Sequence, residues 1–312
     1  MAADRRNRRA AALAFVAGVA ALIGCASTPA SNDWQVLEGP ALVVYSDGSL
    51  EGMREFYSEL EHFRAAMRWF TNRKEAPPRS KTRIMLFKSG TDALPYLVTK
   101  DIGAWASVTA TGNLAVAKLE GKTKDVDRQT LKRDLVKLWL DDEEVRAPTW
   151  YREGLAELVS AFTIEGNKVT IGGRPPIELS KFAELIADEK KGHTPGALLG
   201  DEVARYDIED RARVWLVAHY LLIANKERQE NLRDYFVAWR TGTPSADAFT
   251  KAFGQPPADF FRLEVGRYGT RQLAARQFAM TGEIPEPKLR EASSEEIEKL
   301  TAEVERAVQR LR

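Results

Sequence analysis

The chain has 312 residues, and its 46 Lys and Arg nearly balance its 45 Asp and Glu, giving a formal net charge of +1. A near-neutral chain without a long basic stripe gives no electrostatic reason to expect nucleic acid as a partner. The single cysteine excludes a disulfide within the chain. The length is sufficient for one large domain or two small ones.

The first 24 residues have the features of an export signal. Four arginines between Asp4 and Arg9 precede an uncharged run from Ala10 to Gly24, which is too short to span a bilayer comfortably and so disfavours a single-pass helix. Leu22-Ile23-Gly24-Cys25 resembles the lipobox of bacterial lipoproteins, which implies cleavage before Cys25 and lipid on its thiol. Several acyl chains anchor durably, because each buried methylene contributes about 0.8 kcal/mol. Cleavage removes four arginines and one aspartate, leaving a net charge of −2.

The segment after the cysteine predicts a tether and a location. Residues 25–40 are rich in Ser, Thr, Pro, Asn and Gly, which is typical of a flexible linker. Ala26, rather than an aspartate, follows Cys25, and this resembles lipoproteins that are sent to an outer membrane. We therefore expect a lipid-anchored protein of the bacterial cell envelope, at the outer membrane and facing the periplasm.

The next part of the chain predicts a small mixed sheet. Apolar runs at Ala41–Tyr45 and Ile84–Phe87 indicate strands, the second too uniformly apolar to have a solvated face. Between them, apolar residues from Met53 to Phe70 recur every three or four positions and predict a helix. Trp105–Thr109 and Leu114–Leu119 flank a turn and predict a hairpin.

The rest of the chain is mainly helical by its periodicity. Helical spacing predicts helices at Asp127–Leu140, Thr149–Phe162, Ile177–Lys190, Asp210–Asn225 and Gln229–Arg240, with a small strand at Val169–Ile171. This separation of strands from helices predicts the α+β class.

Residues 281–312 predict a separate amphipathic C-terminal helix. Ser293 and Glu296 form a capping-box pair, and apolar residues then recur at three and four from Ile297 to Leu311. Two roles are open for this narrow apolar stripe: it packs on its own domain, or it mediates self-association or partner binding.

Two adjacent helices carry a second resemblance. Trp150–Glu157 reads Trp-Tyr-Arg-Glu-Gly-Leu-Ala-Glu and resembles the segment of gluzincin metallopeptidases, the thermolysin-like zincins, in which a helical glutamate binds zinc. Glu153 matches that glutamate. In that family the preceding helix carries His-Glu-x-x-His, whose histidines share one helix face. The resemblance implies a gluzincin-like domain over residues 41–280.

The preceding helix departs from the family motif where the ligands belong. Arg133, Asp134 and Lys137 stand where the family has histidine, glutamate and histidine. Arginine stays protonated and lysine would have to lose its proton beside other positive charge, so neither is a plausible zinc ligand. A catalytic zinc needs three protein ligands, and the three histidines, His62, His193 and His219, lie outside this helix. We therefore predict that zinc and every other cofactor are absent.

The remaining charges predict a remnant site. Lys137 or Arg133 is expected to form a partly buried ion pair with Glu153, because a lone buried carboxylate is costly. Glu157 lies one turn after Glu153 and is a candidate to orient it. Asp134 occupies the position of the general base but has no metal-bound water to activate. The alternative is that these are ordinary solvated charges.

The leading hypothesis is a lipoprotein whose peptidase-like domain binds a peptide, a protein or an envelope polymer without cleaving it. The alternative is a divergent hydrolase or metallopeptidase that acts through Asp134 and Glu153. His219 lies in a helix that is apolar nearly all round, which predicts a hydrogen-bonded core histidine. The other possibility for His219 is that it faces the cleft.

Overall fold

The computed structural model describes residues 34–72, 80–99, 103–121, 123–142, 146–187, 190–280 and 283–312. The predicted export signal, Cys25 and residues 25–33 of the predicted tether lie outside these ranges. The described chain has the predicted α+β fold, with a mixed six-stranded sheet, a mainly helical region and a C-terminal helix.

The strands form two sheets. They are β1 Gln35–Glu38, β2 Leu42–Ser46, β3 Thr82–Phe87, β4 Trp105–Thr109, β5 Gly112–Lys118, β6 Thr163–Glu165, β7 Lys168–Gly172, β8 Ala275–Ala279 and β9 Lys288–Glu291. The large sheet has the order β4-β5-β3-β2-β1-β9, and the small sheet has the order β6-β7-β8. Strand β3 is parallel to both β2 and β5. Its central position and the β4–β5 hairpin are as the sequence predicts.

Helices fill the rest of the fold. The α-helices are α1 Leu50–Phe70, α2 Gly90–Ala93, α3 Lys124–Asp142, α4 Thr149–Ser160, α5 Phe182–Ala187, α6 Pro195–Leu199, α7 Ile208–His219, α8 Arg228–Arg240, α9 Ser245–Phe253, α10 Pro257–Phe260, α11 Gly266–Gly269 and α12 Ser294–Leu311. Two 3-10 helices at Leu94–Tyr96 and Ile177–Leu179, and two π-helical turns at Tyr220–Ala224 and Phe261–Val265, connect them.

The large sheet is covered on both faces. Because successive strand residues point to opposite faces, Ile84 and Leu86 of β3 join the core that contains α1, α3 and α4. Met85 and Phe87 instead join a second core with the apolar residues of α12. The uniformly apolar sequence of β3 thus reflects burial on two sides.

Helix α12 packs within its own chain. Its capping box is formed by Ser293 and Glu296 as the sequence predicts. The apolar residues of its stripe that are buried against the sheet are Ile297, Leu300, Val304, Ala307 and Val308. Self-association through this helix remains a prediction, and the stripe that suggested it is already covered.

Three predicted boundaries are corrected. The tether does not extend to residue 40, because Trp34 is buried and β1 pairs with β2 and β9. The segment from residue 281 is not a separate helix, because β9 joins the large sheet before α12 begins at Ser294. The predicted helix Ile177–Lys190 is a 3-10 turn followed by α5, since a turn at Ser180 and Lys181 interrupts it.

Within the described ranges, no helix combines the length and the apolar character needed to cross a membrane.

Candidate functional site

Helices α3 and α4 pack together and carry the residues of the predicted remnant site. Positions 133 and 137 are four residues apart on α3, as are 153 and 157 on α4, so each pair shares one helix face. The beginning of α4 is fixed by Trp150, which is fully buried and donates its indole N–H to the hydroxyl of Tyr235 at 2.9 Å.

The structure brings Lys137 and Glu153 together. The Lys137 Nζ lies 3.4 Å from Oε1 and 3.5 Å from Oε2 of Glu153, and 3.6 Å from Oδ1 of Asp134. The Lys137 and Glu153 side chains are 30% and 18% exposed, so the pair is partly buried. An ammonium thus lies beside the carboxylate of Glu153.

Arg133 has other partners than the predicted Glu153. Its guanidinium contacts Asp134 at 3.2 Å, Glu157 at 3.7 Å and Glu178 at 3.4 Å. Burial lowers the pKa of the Arg133 guanidinium, but the Asp134 and Glu157 carboxylates outweigh this, so its pKa is raised overall. Arg133 therefore stays charged and cannot act as a metal ligand.

Glu157 is the most buried carboxylate of the group, and its main partner was not predicted. Its side chain is 1% exposed, and its Oε1 accepts a 2.5 Å hydrogen bond from Nε of Arg211 on α7. Arg211 also binds Glu178, at 2.6 Å. Burial lowers the pKa of the Arg211 guanidinium. The Glu157 carboxylate, and after it the Glu178 carboxylate, raises this pKa by more, so the net shift is upward. Glu157 is thus held by two arginines, Arg211 and Arg133.

Arg211 and Glu178 are the site residues that sequence reasoning missed. Arg211 is 54 positions after Glu157, and Glu178 is 45 positions after Arg133. No motif or helical spacing relates such positions, so a single sequence contains no signal for them. We use the name "charge network" for the seven residues Arg133, Asp134, Lys137, Glu153, Glu157, Glu178 and Arg211.

The charge network favours mutual neutralisation over metal binding. Its carboxylates are within ion-pair distance of three cations. Among the described residues, no grouping of three metal-ligand side chains includes Glu153. Asp134 is likewise beside cations, Arg133 and Lys137. Among the described residues, each carboxylate of the charge network thus has a cationic neighbour, an arrangement that differs from the ligand set of a zinc site.

A separate cluster of His193, Asp207 and Asp210 has ligand atoms within 4.8 Å of one another. Helix capping explains this cluster, since Asp207 and Asp210 form the capping box at the N-terminus of α7. Asp210 also accepts bonds from the backbone N–H and the ring of His193, at 2.7 and 2.6 Å. The cluster therefore has a structural explanation.

His219 is a core histidine, as its apolar surroundings predict. It is fully buried, and its Nδ1 lies 2.9 Å from the hydroxyl of Tyr268. Burial, partly offset by the Ala274 backbone, lowers its pKa to about 4. The imidazole is therefore neutral at pH 7.

No protein-family model matches the sequence, and no curated protein resembles it closely enough to count as a match. The gluzincin-like interpretation accordingly depends on the residues of α3 and α4 themselves.

Proposed function

We propose that this chain is a lipid-anchored protein of the bacterial cell envelope whose gluzincin-like domain binds a peptide, protein or envelope polymer without cleaving it. One observation carries the proposal: the Lys137 ammonium lies 3.4 Å from the Glu153 carboxylate. In gluzincins, which this segment resembles, that carboxylate binds the catalytic zinc. A fixed cation there replaces the charge of the metal but supplies neither Lewis acidity nor an activated water.

The rest of the charge network supports the same function. Glu157 is engaged by Arg211 and Arg133, and Asp134 by Lys137 and Arg133. A hydrolase acting through Asp134 and Glu153 needs at least one of them free to take a proton from water. Both carboxylates instead have cationic partners, which favours binding over turnover.

Metal loading tests the proposal directly. The purified chain is incubated with zinc, dialysed and analysed for metal, and we expect less than about 0.1 zinc per chain because the nitrogen ligands are missing. The double variant Arg133→His/Lys137→His is expected to retain about one zinc, since Glu153 lies beside position 137 and would complete three ligands in the arrangement of the family that this segment resembles. Adding Glu153→Gln to the double variant is the matched control and should abolish retention.

Two results would contradict the proposal. One is stoichiometric zinc in the unaltered chain. The other is cleavage of casein or of a mixed peptide substrate that Glu153→Gln abolishes. Failure of the double variant to retain zinc while folding normally would instead show that α3 and α4 do not have gluzincin geometry.

Anchoring is tested separately at Cys25. Expressed in a bacterium that makes lipoproteins, the chain is expected to incorporate labelled palmitate and to sediment with membranes. Cys25→Ser removes the thiol that carries the lipid and should abolish labelling. Equal labelling of the Cys25→Ser variant would refute the anchor while leaving the binding hypothesis intact.

A further inference from the structure

A pocket of about 400 Å³ lies between the ends of α1 and α3, helices α4 and α8, and strand β8. Leu140 and Leu155, both buried, contribute apolar surface to its wall. Tyr151 and Phe236 add an aromatic wall, with ring centroids 4.8 Å apart in an edge-to-face arrangement. Thr71, Asn72 and Gln229 also line the pocket, so apolar walls and polar groups are combined at a size typical of sites for small ligands.

Arg276 brings a cation to this apolar pocket. On β8 it shares a face with Phe278, which packs against the core, whereas Gln277 between them is exposed. The Nη2 atom of Arg276 is buried and has no hydrogen-bond partner. No ion pair of Arg276 occurs in the described part of the chain. An unsatisfied buried donor on a charged group is costly, so an acceptor that reached this guanidinium, from water or from a ligand, would lower the cost.

A second arginine lines the same pocket. The Cζ of Arg240 lies 5.5 Å from the centroid of the Phe236 ring, and its Nε donates to the backbone carbonyl of Arg146 at 3.1 Å. The described residues that line the pocket include no Asp or Glu. In its described lining, the pocket therefore combines positive charge with apolar and aromatic walls.

The pocket is distinct from the charge network. Tyr151 and Leu155 of α4 are four residues apart and line the pocket. Glu153 and Glu157 are offset from them by two residues, about 200° around the helix, and belong to the network. A ligand in the pocket would therefore contact the opposite face of α4.

From this combination we infer that the pocket binds a carboxylate carried on an apolar or aromatic group, with Arg276 pairing with the carboxylate. A guanidinium matches a carboxylate in bidentate geometry and forms short, charge-assisted hydrogen bonds with it. The aromatic and leucine side chains would cover the apolar group of the ligand. The C terminus of a peptide ending in a large apolar residue has this chemistry, and so does a free aromatic acid. The inference does not depend on whether the domain binds zinc.

Calorimetric titration of the full chain tests the inference with matched ligands. The probes are N-acetyl-Leu-Phe with a free carboxylate, the same dipeptide as its C-terminal amide, 3-phenylpropionate and inorganic phosphate. We expect the free dipeptide to bind and its amide to bind at least about tenfold more weakly, because the amide loses the charge-assisted pair. Comparable binding of 3-phenylpropionate would identify free acids as a source of the ligand, and its failure would restrict the source to peptides.

Variants identify the residue responsible. Arg276→Gln should weaken binding of the free dipeptide at least about tenfold and leave binding of the amide unchanged. Arg271→Gln, at an exposed arginine outside the pocket, is the matched control and should change neither. Thermal unfolding of each variant verifies that it is folded, and the comparison of the two dipeptides on the unaltered chain needs no variant.

Three outcomes would overturn the inference. The first is equal affinity for the free dipeptide and its amide. The second is unchanged binding in a folded Arg276→Gln variant. The third is binding of phosphate alone, with no binding of either carboxylate probe, since an apolar group is part of the proposed ligand.

Discussion

Glu157 lies where helices α3, α4 and α7 meet, and its arginine partners explain how a buried carboxylate is accommodated there. Arg211 of α7 donates to it at 2.5 Å, and Arg133 of α3 lies 3.7 Å away. A carboxylate this deep is stable only with such partners, because its desolvation costs several kcal/mol. The sequence predicted Glu157 as a residue that orients Glu153, whereas the contacts show it linking α3, α4 and α7.

Removing the Glu157 charge is therefore expected to be costly. Glu157→Gln keeps the shape but leaves the Arg133 and Arg211 cations under-compensated, so we expect the free energy of unfolding to fall by about 2–4 kcal/mol in urea titration. Glu184→Gln is the matched control, since its pair with Lys181 is 3.8 Å long and both side chains are about three-quarters exposed. Glu184→Gln should change the free energy of unfolding by no more than about 0.5 kcal/mol. Equally small losses of stability in the two variants would mean that the ion pair of Glu157 with Arg211 is solvated.

His219 predicts a pH dependence of stability. Its pKa is about 4 in the folded chain, against an ordinary 6.5, so between these values the unfolded chain binds more protons. Stability from neutral His219 is therefore complete above pH 6.5 and is lost as the pH falls towards 4, by up to about 3 kcal/mol. We expect His219→Gln to remove this part of the loss of stability in acid. The measurement is the free energy of unfolding of the unaltered chain minus that of the variant, followed from pH 7 to pH 4.

The matched control for His219 is the half-buried His62 of α1. His62→Gln also removes one imidazole, yet keeps the buried imidazole of His219, so the loss of stability in acid assigned to His219 should persist. A His219→Gln profile parallel to that of the unaltered chain would show that the lowered pKa makes no contribution.

At the scale of elements, the contact between α4 and α7 depends on one glycine. A Cβ placed on Gly154 would lie 2.4 Å from the Val214 backbone oxygen and 3.0 Å from the Ala218 Cβ. The absence of a side chain therefore lets the two helices approach closely. This approach also brings Arg211 of α7 within reach of Glu157 of α4.

Gly154→Ala should accordingly destabilise the fold. Alanine is favoured over glycine within a helix by about 1 kcal/mol, but the clash with backbone is expected to outweigh this and lower stability by about 1–3 kcal/mol. Gly196→Ala in α6 is the matched control, because its Cβ would meet nothing closer than 3.8 Å. Denaturant unfolding of both variants measures the contrast, and a stabilised Gly154→Ala variant would disprove the close contact.

The whole molecule is organised around a sheet covered on both faces by segments from opposite ends of the described chain. Strands β1 and β9 pair at one edge, and α12 covers the face opposite to α1 and α3. Arg83 of β3 also binds Glu303 of α12 at 2.7 Å. The C-terminal segment is thus part of the same folded unit as the sheet.

Two leucines of α12 test whether this helix is part of the same folded unit as the sheet. Leu300 is 4% exposed against the sheet, and Leu311 is 44% exposed near the end of the helix. We expect Leu300→Ala to lower the free energy of unfolding by about 2–4 kcal/mol and Leu311→Ala by less than about 0.5 kcal/mol. Circular dichroism during thermal unfolding provides the measurement. A Leu300→Ala variant as stable as Leu311→Ala would indicate that α12 is not integral to the fold.

Local sequence determined the elements whose pattern is strong. Uniform apolarity identified β3 as central, turn residues identified the β4–β5 hairpin, and periodicity identified α1, α3, α4 and α12. The resemblance to gluzincins singled out the charges at positions 133, 134, 137, 153 and 157, and helix geometry places 133 with 137, and 153 with 157, on one face. The local sequence did not predict strands β1 and β9, since a run of four residues with few apolar positions resembles a linker.

Only the tertiary structure decided which charges meet. Whether Glu153 pairs with Lys137 or Arg133 depends on how α3 packs on α4, and the Glu157–Arg211 pair joins positions 54 residues apart. The pocket around Arg276 likewise combines side chains from six separate elements. Periodicity describes the faces of single elements, whereas these contacts depend on the arrangement of several elements in the folded chain.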